Sequence, residues 1–333
     1  FRYEDNKIMK YHNIRVDLNG RVSNCMNGEN IDVESILKPV IKQYLKSVMP
    51  RLNVDTDVDI NINCTNYSKR DYWYTPRNVE DIPDANTILA NDTSLCVSHG
   101  GLTFCEKIAL NVEQMFWNYN ENLYPTPKYT DIGQDIKVMV SRMDKNVDVT
   151  LCVPVYRDKY ETENEYKDIV KKYERLVSTE ISNIDNPKNY KYSVGINRLP
   201  NEEYRNYSLV IGSCCECGEE GVVGRGNDSQ GLISAFREHT MEAACGKNTR
   251  YHTGRVLSFM ANNVTERIEM ELATKSSLFC LTRNKYPLIE PFLFYMSIDT
   301  ELNDDIKNKI NNIVQEEFND KFIDKIIKSK KVK

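Results

Sequence analysis

Residues 217–231 read CGEEGVVGRGNDSQG, placing five of the chain's 14 glycines around a single arginine. Glycine permits positive φ and close backbone approach, so Gly224-Arg225-Gly226 can present a guanidinium fork to a phosphate. A tight solvated turn has the same composition. The loop lacks the Gly-Lys-Ser/Thr ending of a Walker A loop, and its Gly-x-Gly does not sit in a dinucleotide-binding pattern. Residues 241–252, MEAACGKNTRYH, add small side chains, Gly246 and Lys247, then Arg250 and His252, with Arg255 just beyond. A helix start with solvated cations is the alternative reading of that stretch. Taken together, Arg225, Lys247, Arg250 and Arg255 form a local cationic cluster suited to a polyphosphate.

Two shorter stretches also carry candidate chemistry. ANDTS at 90–94 places Asp92 among loop and cap residues, where a plain turn is the commoner use. GQDIKVM at 133–139 places Asp135 and Lys137 on one face at the start of a strand, as a surface ion pair or as substrate contacts. CCEC at 214–217 resembles a metal cluster but has no second Cys or His pair at zinc spacing. His99 and His252 are too scattered to make a metal site, and metal ligands stay unassigned.

The elements that must position these residues follow from periodicity. Asp57–Cys64 alternates as a half-buried strand, preceded by a helical period from Ile36 to Val48 that would put Pro39 in the first turn. Thr103/Glu106 and Thr162/Glu165 have capping-box spacing ahead of helical faces. Strands at 137–141 and 147–155 flank the turn MDKN, and further strands are expected at 190–197, 207–212, 278–282 and 292–298. A helix bears Phe259, Met260, Val264, Ile268 and Leu272, and a terminal helix bears Ile306, Ile310, Ile313, Val314 and Phe318. This recurring ββα rhythm predicts an α+β fold with antiparallel or mixed sheets covered by helices on one face.

Composition sets the outer limits. The 333 residues are 40% hydrophobic and 28% charged, with a net charge of −5, which argues against a broad nucleic-acid-binding face. No apolar run approaches the roughly 20 residues of a membrane span. The ten cysteines lack disulfide-framework spacing, which predicts reduced thiols and a cytoplasmic location.

ANDTS, DIKVM at 135–139, GEEGVVGRGN at 218–227, GLI at 231–233, FR at 236–237 and MEAACGKN at 241–248 together resemble the archaeal-type S-adenosylmethionine synthetases, in that family's order and spacing. The resemblance implies three interleaved α+β domains in a pseudo-threefold arrangement, divided near 1–90, 91–205 and 206–333. It implies ATP and methionine as substrates, Mg²⁺ and K⁺ as cofactors, and a homodimer or dimer of dimers with interfacial active sites. By similarity, Arg225 and Lys247 hold the triphosphate, Asp135 and Lys137 contact substrate, and Asp92 reaches nucleoside or methionine. Glu219 pairs with the methionine ammonium, while Gly224, Gly226, Asn227 and Gly246 complete the substrate loops.

The chain also departs from that pattern. Glu219 stands where the family usually has Asp, and Asp228 replaces an arginine. CTNYSKRDYW lacks the family's glycine nucleotide loop. The Gly-His-Pro-Asp segment is expected upstream of Phe1 or is missing from the protein. These departures leave open a non-catalytic homologue that binds nucleotide or partners a catalytic subunit.

Overall fold

The computed structural model describes residues 1–21, 25–26, 29–65, 88–119, 124–199, 203–217, 229–240, 244, 247–250 and 252–328. The chain divides into two compact units, Phe1–Arg77 with Phe104–Val222, and Asn78–Thr103 with Val223–Lys333.

In the first unit, strands Arg2–Glu4 and Lys7–Met9 form a hairpin whose turn residues Asp5 and Asn6 both have positive φ. Strands Ile14–Arg21 and Val58–Thr65 pair in parallel, with helix Val33–Val48 between them in sequence. Met49, Leu52, Val54, Val58 and Ile60 bury against Val210 and Ile211. Pro39 lies inside the helix and not in its first turn. The cause is Asp32, whose side chain accepts from the Ser35 backbone N–H at 3.1 Å and starts the helix at Val33. The proline's missing donor then leaves the carbonyl of Ser35, an exposed residue that water can reach.

A mixed sheet completes this unit. Strand Lys137–Met143 runs antiparallel to Asn146–Cys152, which runs parallel to Lys191–Ile196. The Asn146 strand alternates strictly, burying Val147, Val149 and Leu151. These meet helix Glu163–Ser182 through Tyr166, Val170, Tyr173, Val177 and Ile181. Both halves of the Thr162/Glu165 capping box are formed, as its spacing predicts.

The second unit is an antiparallel sheet with strand Ser276–Leu281 between Leu95–Gly100 and Leu293–Ile298. Helix Thr253–Leu272 buries Val256, Leu257, Met260, Val264 and Ile268 with Cys96, Leu278 and Cys280. Helices Asp304–Glu317 and Asp320–Lys328 add Ile313, Phe318, Phe322 and Ile323 to the same core. The architecture is mixed α and β, and of the strand expected at 207–212 only Ser208–Leu209 forms. No helix among the described residues is long and apolar enough to cross a membrane.

Candidate functional site

In the first unit the site is built on Asp135. Its segment is held by backbone contacts, with the N–H groups of Gln134 and Asp135 donating to the Gly212 carbonyl at 2.9 and 3.1 Å. Gly133 donates to Pro154 at 2.7 Å. Two strand ends, 131–136 and 210–214, are thereby pinned together, and the second leads directly into the glycine-rich loop. Tyr207 Oη donates to Asp135 Oδ2 at 3.0 Å and lies 3.2 Å from Cys214 Sγ. Burial foremost, with the Asp135 charge and hydrogen bond beside it, pushes the Tyr207 phenol well above its ordinary value. Tyr207 therefore stays protonated and keeps donating its hydrogen to the carboxylate. Lys137 Nζ is 3.9 Å from Asp135 Oδ1, with its side chain 63% exposed against 19% for the carboxylate. A carboxylate fixed by a neutral phenol beside an exposed ammonium can orient one charged and one hydroxylic group of a ligand.

In the second unit Asp92 sits in a tight turn, its Oδ1 accepting from the Thr93 backbone N–H at 2.7 Å. Thr282 Oγ1 donates to the Asp92 carbonyl at 3.1 Å, and Asn284 N–H donates to Thr93 Oγ1 at 3.3 Å. Asn91 Oδ1 accepts from both the backbone N–H and the hydroxyl of Thr253, at 3.0 and 3.3 Å. The ANDTS turn is thus tied to the start of the helix that follows the cationic segment. His252 is the N-cap of that helix and accepts from Gly254 N–H at 3.2 Å. Asn248 Oδ1 accepts from Arg250 N–H at 2.8 Å, which folds the segment after Lys247 back on itself. Arg255 is buried, donates to the Ala244 carbonyl at 3.2 Å and lies 5.2 Å from the Phe259 ring centroid. Its Nε has no hydrogen-bond partner among the described residues. Cations gathered at the positive end of a helix dipole make that end attractive to anions.

The residues expected from sequence are therefore found in two groups. Asp135 and Lys137 come together in the first unit; in the second, Asp92 follows Asn91, which is bonded to the helix start, and Lys247 precedes that helix in sequence. Glu219, Gly224, Arg225, Gly226, Asn227, Asp228 and Gly246 lie outside the described residues, as do residues 66–73 of the stretch that lacks the family's glycine nucleotide loop. Among the described residues no three His, Cys, Asp or Glu side chains are grouped to hold a metal ion. Among the described residues neither Asp92 nor Asp135 has two further such side chains beside it to cage a Mg²⁺.

Sequence reasoning marked Cys214 only as part of CCEC and Asn91 only as part of ANDTS, and it gave Tyr207 no role at the site. The Tyr207–Cys214 contact carried no signal, because a hydrogen bond made by folding leaves no local spacing. Asn91 did carry one, since an Asn or Asp pair in a turn is a standard cap for a nearby backbone.

The sequence pattern described as S-adenosylmethionine synthetase (AdoMet synthetase) matches residues 6–330. An uncharacterized protein of Streptococcus pyogenes serotype M3 is 32% identical over 256 residues, covering 77% of this chain and 62% of that protein. The S-adenosylmethionine synthase of Haloquadratum walsbyi is 30% identical over 292 residues, covering 85% of this chain and 68% of its own. A solved structure of an unusual S-adenosylmethionine synthetase from Campylobacter jejuni aligns with 94% of this chain and 77% of its own, at 15% identity and a TM-score of 0.45. That last likeness is too remote to carry detail. This chain spans 62% of the length of the streptococcal relative. With the pattern matched from residue 6 to residue 330, the chain belongs to the S-adenosylmethionine synthetase family.

Proposed function

We propose that this protein makes S-adenosylmethionine from ATP and methionine. The methionine sulfur attacks C5′ of ATP and displaces the whole triphosphate, which is then hydrolysed to pyrophosphate and phosphate. The observation that carries this reading is the family match over residues 6–330, which includes the stretches holding Asp135, Lys137, Arg225 and Lys247. The reaction needs two substrates aligned in line and charge neutralised on a leaving polyphosphate. Lys247, followed by Arg250 and the buried Arg255, suits that second need. In this reading Arg225 joins them from the glycine-rich loop, with Gly224, Gly226, Asn227 and Gly246 admitting the phosphates closely. Asp92 and Glu219 take the nucleoside and the methionine ammonium. The three-domain arrangement, the cytoplasmic location and a homodimer or dimer of dimers with interfacial sites belong to the same reading.

Mg²⁺ and K⁺ would supply further charge neutralisation on the triphosphate, as the resemblance implies. Incubation with ATP, methionine, Mg²⁺ and K⁺ tests the proposal by mass detection of S-adenosylmethionine and release of pyrophosphate. Absence of methionine-dependent release sinks it. A second reading, a nucleotide-binding homologue without turnover, is favoured by Asp228, which puts a negative charge beside the phosphate loop. Stoichiometric ATP binding without product would establish it.

A further inference from the structure

Cys214, Cys215 and Cys217 are thiols, and residues Cys214–Glu216 form a short 3₁₀ turn closed by the Cys217 backbone N–H donating to the Cys214 carbonyl at 3.0 Å. The function proposed above makes no use of this C-x-x-C sequence. In a 3₁₀ turn residues i and i+3 eclipse, and three rises of about 2.0 Å put their Cα atoms about 6 Å apart. Disulfides span Cα separations of about 4.4–6.8 Å, so Cys214 and Cys217 can be bridged with little backbone movement. Cys215 lies between them in the turn, on another face. Cys217 is exposed and Cys214 half-buried, the usual division between an attacking and a resolving thiol.

The half-buried member is wired to the site. Tyr207 gives its one hydroxyl hydrogen to Asp135, so the 3.2 Å contact with Cys214 leaves the thiol as donor to Tyr207. The result is a chain of donors running from Cys214 S–H to Tyr207 O–H to the Asp135 carboxylate.

We propose that Cys214 and Cys217 are a reversible thiol-oxidation site that acts on Asp135 through Tyr207. With hydrogen peroxide as oxidant, the Cys217 thiolate attacks a peroxide oxygen to give a sulfenic acid and hydroxide. The Cys214 sulfur then attacks the sulfenic sulfur, forms the S–S bond and expels the second oxygen as water. Two thiols lose two electrons and two protons, and one peroxide becomes two waters. The disulfide has no S–H and draws Cys214 towards Cys217, so Tyr207 loses its donor and Asp135 its fixed orientation.

The chemical half of this proposal stands on the turn alone, and the effect on turnover rests on the function proposed above. In a Cys215→Ser background the tryptic peptide 206–225 contains only Cys214 and Cys217 as cysteines. After treatment with equimolar hydrogen peroxide the peptide is expected to be about 2 Da lighter and to resist iodoacetamide until dithiothreitol is added. Methionine-dependent pyrophosphate release is expected to fall by up to roughly tenfold and to recover with the thiols, the upper end for loss of one hydrogen bond between neutral groups. Cys217→Ser, which leaves the Cys214–Tyr207 contact in place, is expected to keep its activity under peroxide. A peptide that still takes up two iodoacetamide groups after peroxide overturns the site. A disulfide that forms without change in turnover, or equal inactivation of Cys217→Ser, overturns its link to Asp135. An enzyme inactive in both redox states defeats the functional reading and not the dithiol, whose mass shift is read independently.

Discussion

Gly133 and Gly212 lie in backbone contact, so close that a Cβ on Gly133 would come within 2.4 Å of the Gly212 Cα. Gly212 also has φ of +92°, and a Cβ there would meet Gln134 Oε1 at 2.5 Å and Tyr156 Cε1 at 2.8 Å. This contact is what lets two backbone hydrogen bonds to the Gly212 carbonyl hold Asp135 in place. Gly212→Ala is therefore expected to cost about 2–4 kcal/mol, from left-handed strain and overpacking together. Gly195→Ala is the control, because its nearest neighbour is Arg198 Cδ at 3.4 Å and its φ is not positive. Urea denaturation of both variants compares the two costs, and equal midpoints would refute the close-contact account.

Asn91 joins the Asp92 turn to the helix start through its two bonds from Thr253. Asn91→Ala leaves that backbone donor without its side-chain acceptor and is expected to destabilise the protein by about 1–2 kcal/mol. Asn91→Asp, which keeps the acceptor, should recover most of the loss. Thermal unfolding of the pair distinguishes a cap from mere packing.

Asn197 is buried at a φ of 52°, and its amide bridges both polar groups of Val153 while donating to Tyr166 Oη. Asn197→Ala removes three buried hydrogen bonds at a left-handed position. A loss of about 3 kcal/mol is expected in urea unfolding, with Asn197→Asp intermediate because only the acceptor survives.

Lys247→Ala is expected to lower kcat/KM for ATP by about 10²–10³-fold, as for removal of one group that stabilises a developing anion. Asp135→Asn should fall by a similar factor with its fold intact, since Tyr207 can still donate to the amide oxygen. Steady-state kinetics with parallel circular dichroism checks both. Near-normal turnover in Lys247→Ala would remove that lysine from the triphosphate site.

Asp131 accepts from Lys172 at 2.7 Å and from Tyr173. Burial raises the Asp131 pKa, but the Lys172 and Tyr173 bonds outweigh it, and the carboxyl is held below its ordinary value. A lowered folded pKa contributes stability that is complete above the unfolded value, about 3.9, and disappears as pH falls through the folded one. Asp131→Asn should therefore be less stable than the parent at neutral pH and converge on it in acid. Urea midpoints from neutral to acid pH measure the convergence, and parallel curves would exclude it.

Local signals in the sequence carried far into the fold. The Thr162/Glu165 box, the turn after Met143 and the alternation of Val147, Val149 and Leu151 each depend on neighbours a few residues away. Strand Leu95–Gly100 escaped notice because it is buried almost throughout and includes Ser98 and His99, so it shows no alternation. Ser98 is accommodated by a hydroxyl contact with Thr265 at 2.8 Å, a partner 167 residues away. At the candidate site the same division holds. Asp135 and Lys137 were visible as a spaced pair and Cys214 as part of CCEC, whereas the bonds of Tyr207 to Asp135 and Cys214 are known only from the contact that folding creates.

The strand Leu95–Gly100 pairs Cys96 with Cys280, and its only sheet neighbour among the described residues is Ser276–Leu281. A ribosome releases the first strand long before it makes the second. The emerging chain must carry those apolar residues without a sheet while Phe104–Val222 is synthesised and begins to fold. Such distant pairing slows folding and prolongs exposure to aggregation. Completion of the second unit therefore waits for synthesis of Ser276–Leu281, and a chain stopped near residue 270 would carry Leu95–Gly100 as an orphaned strand.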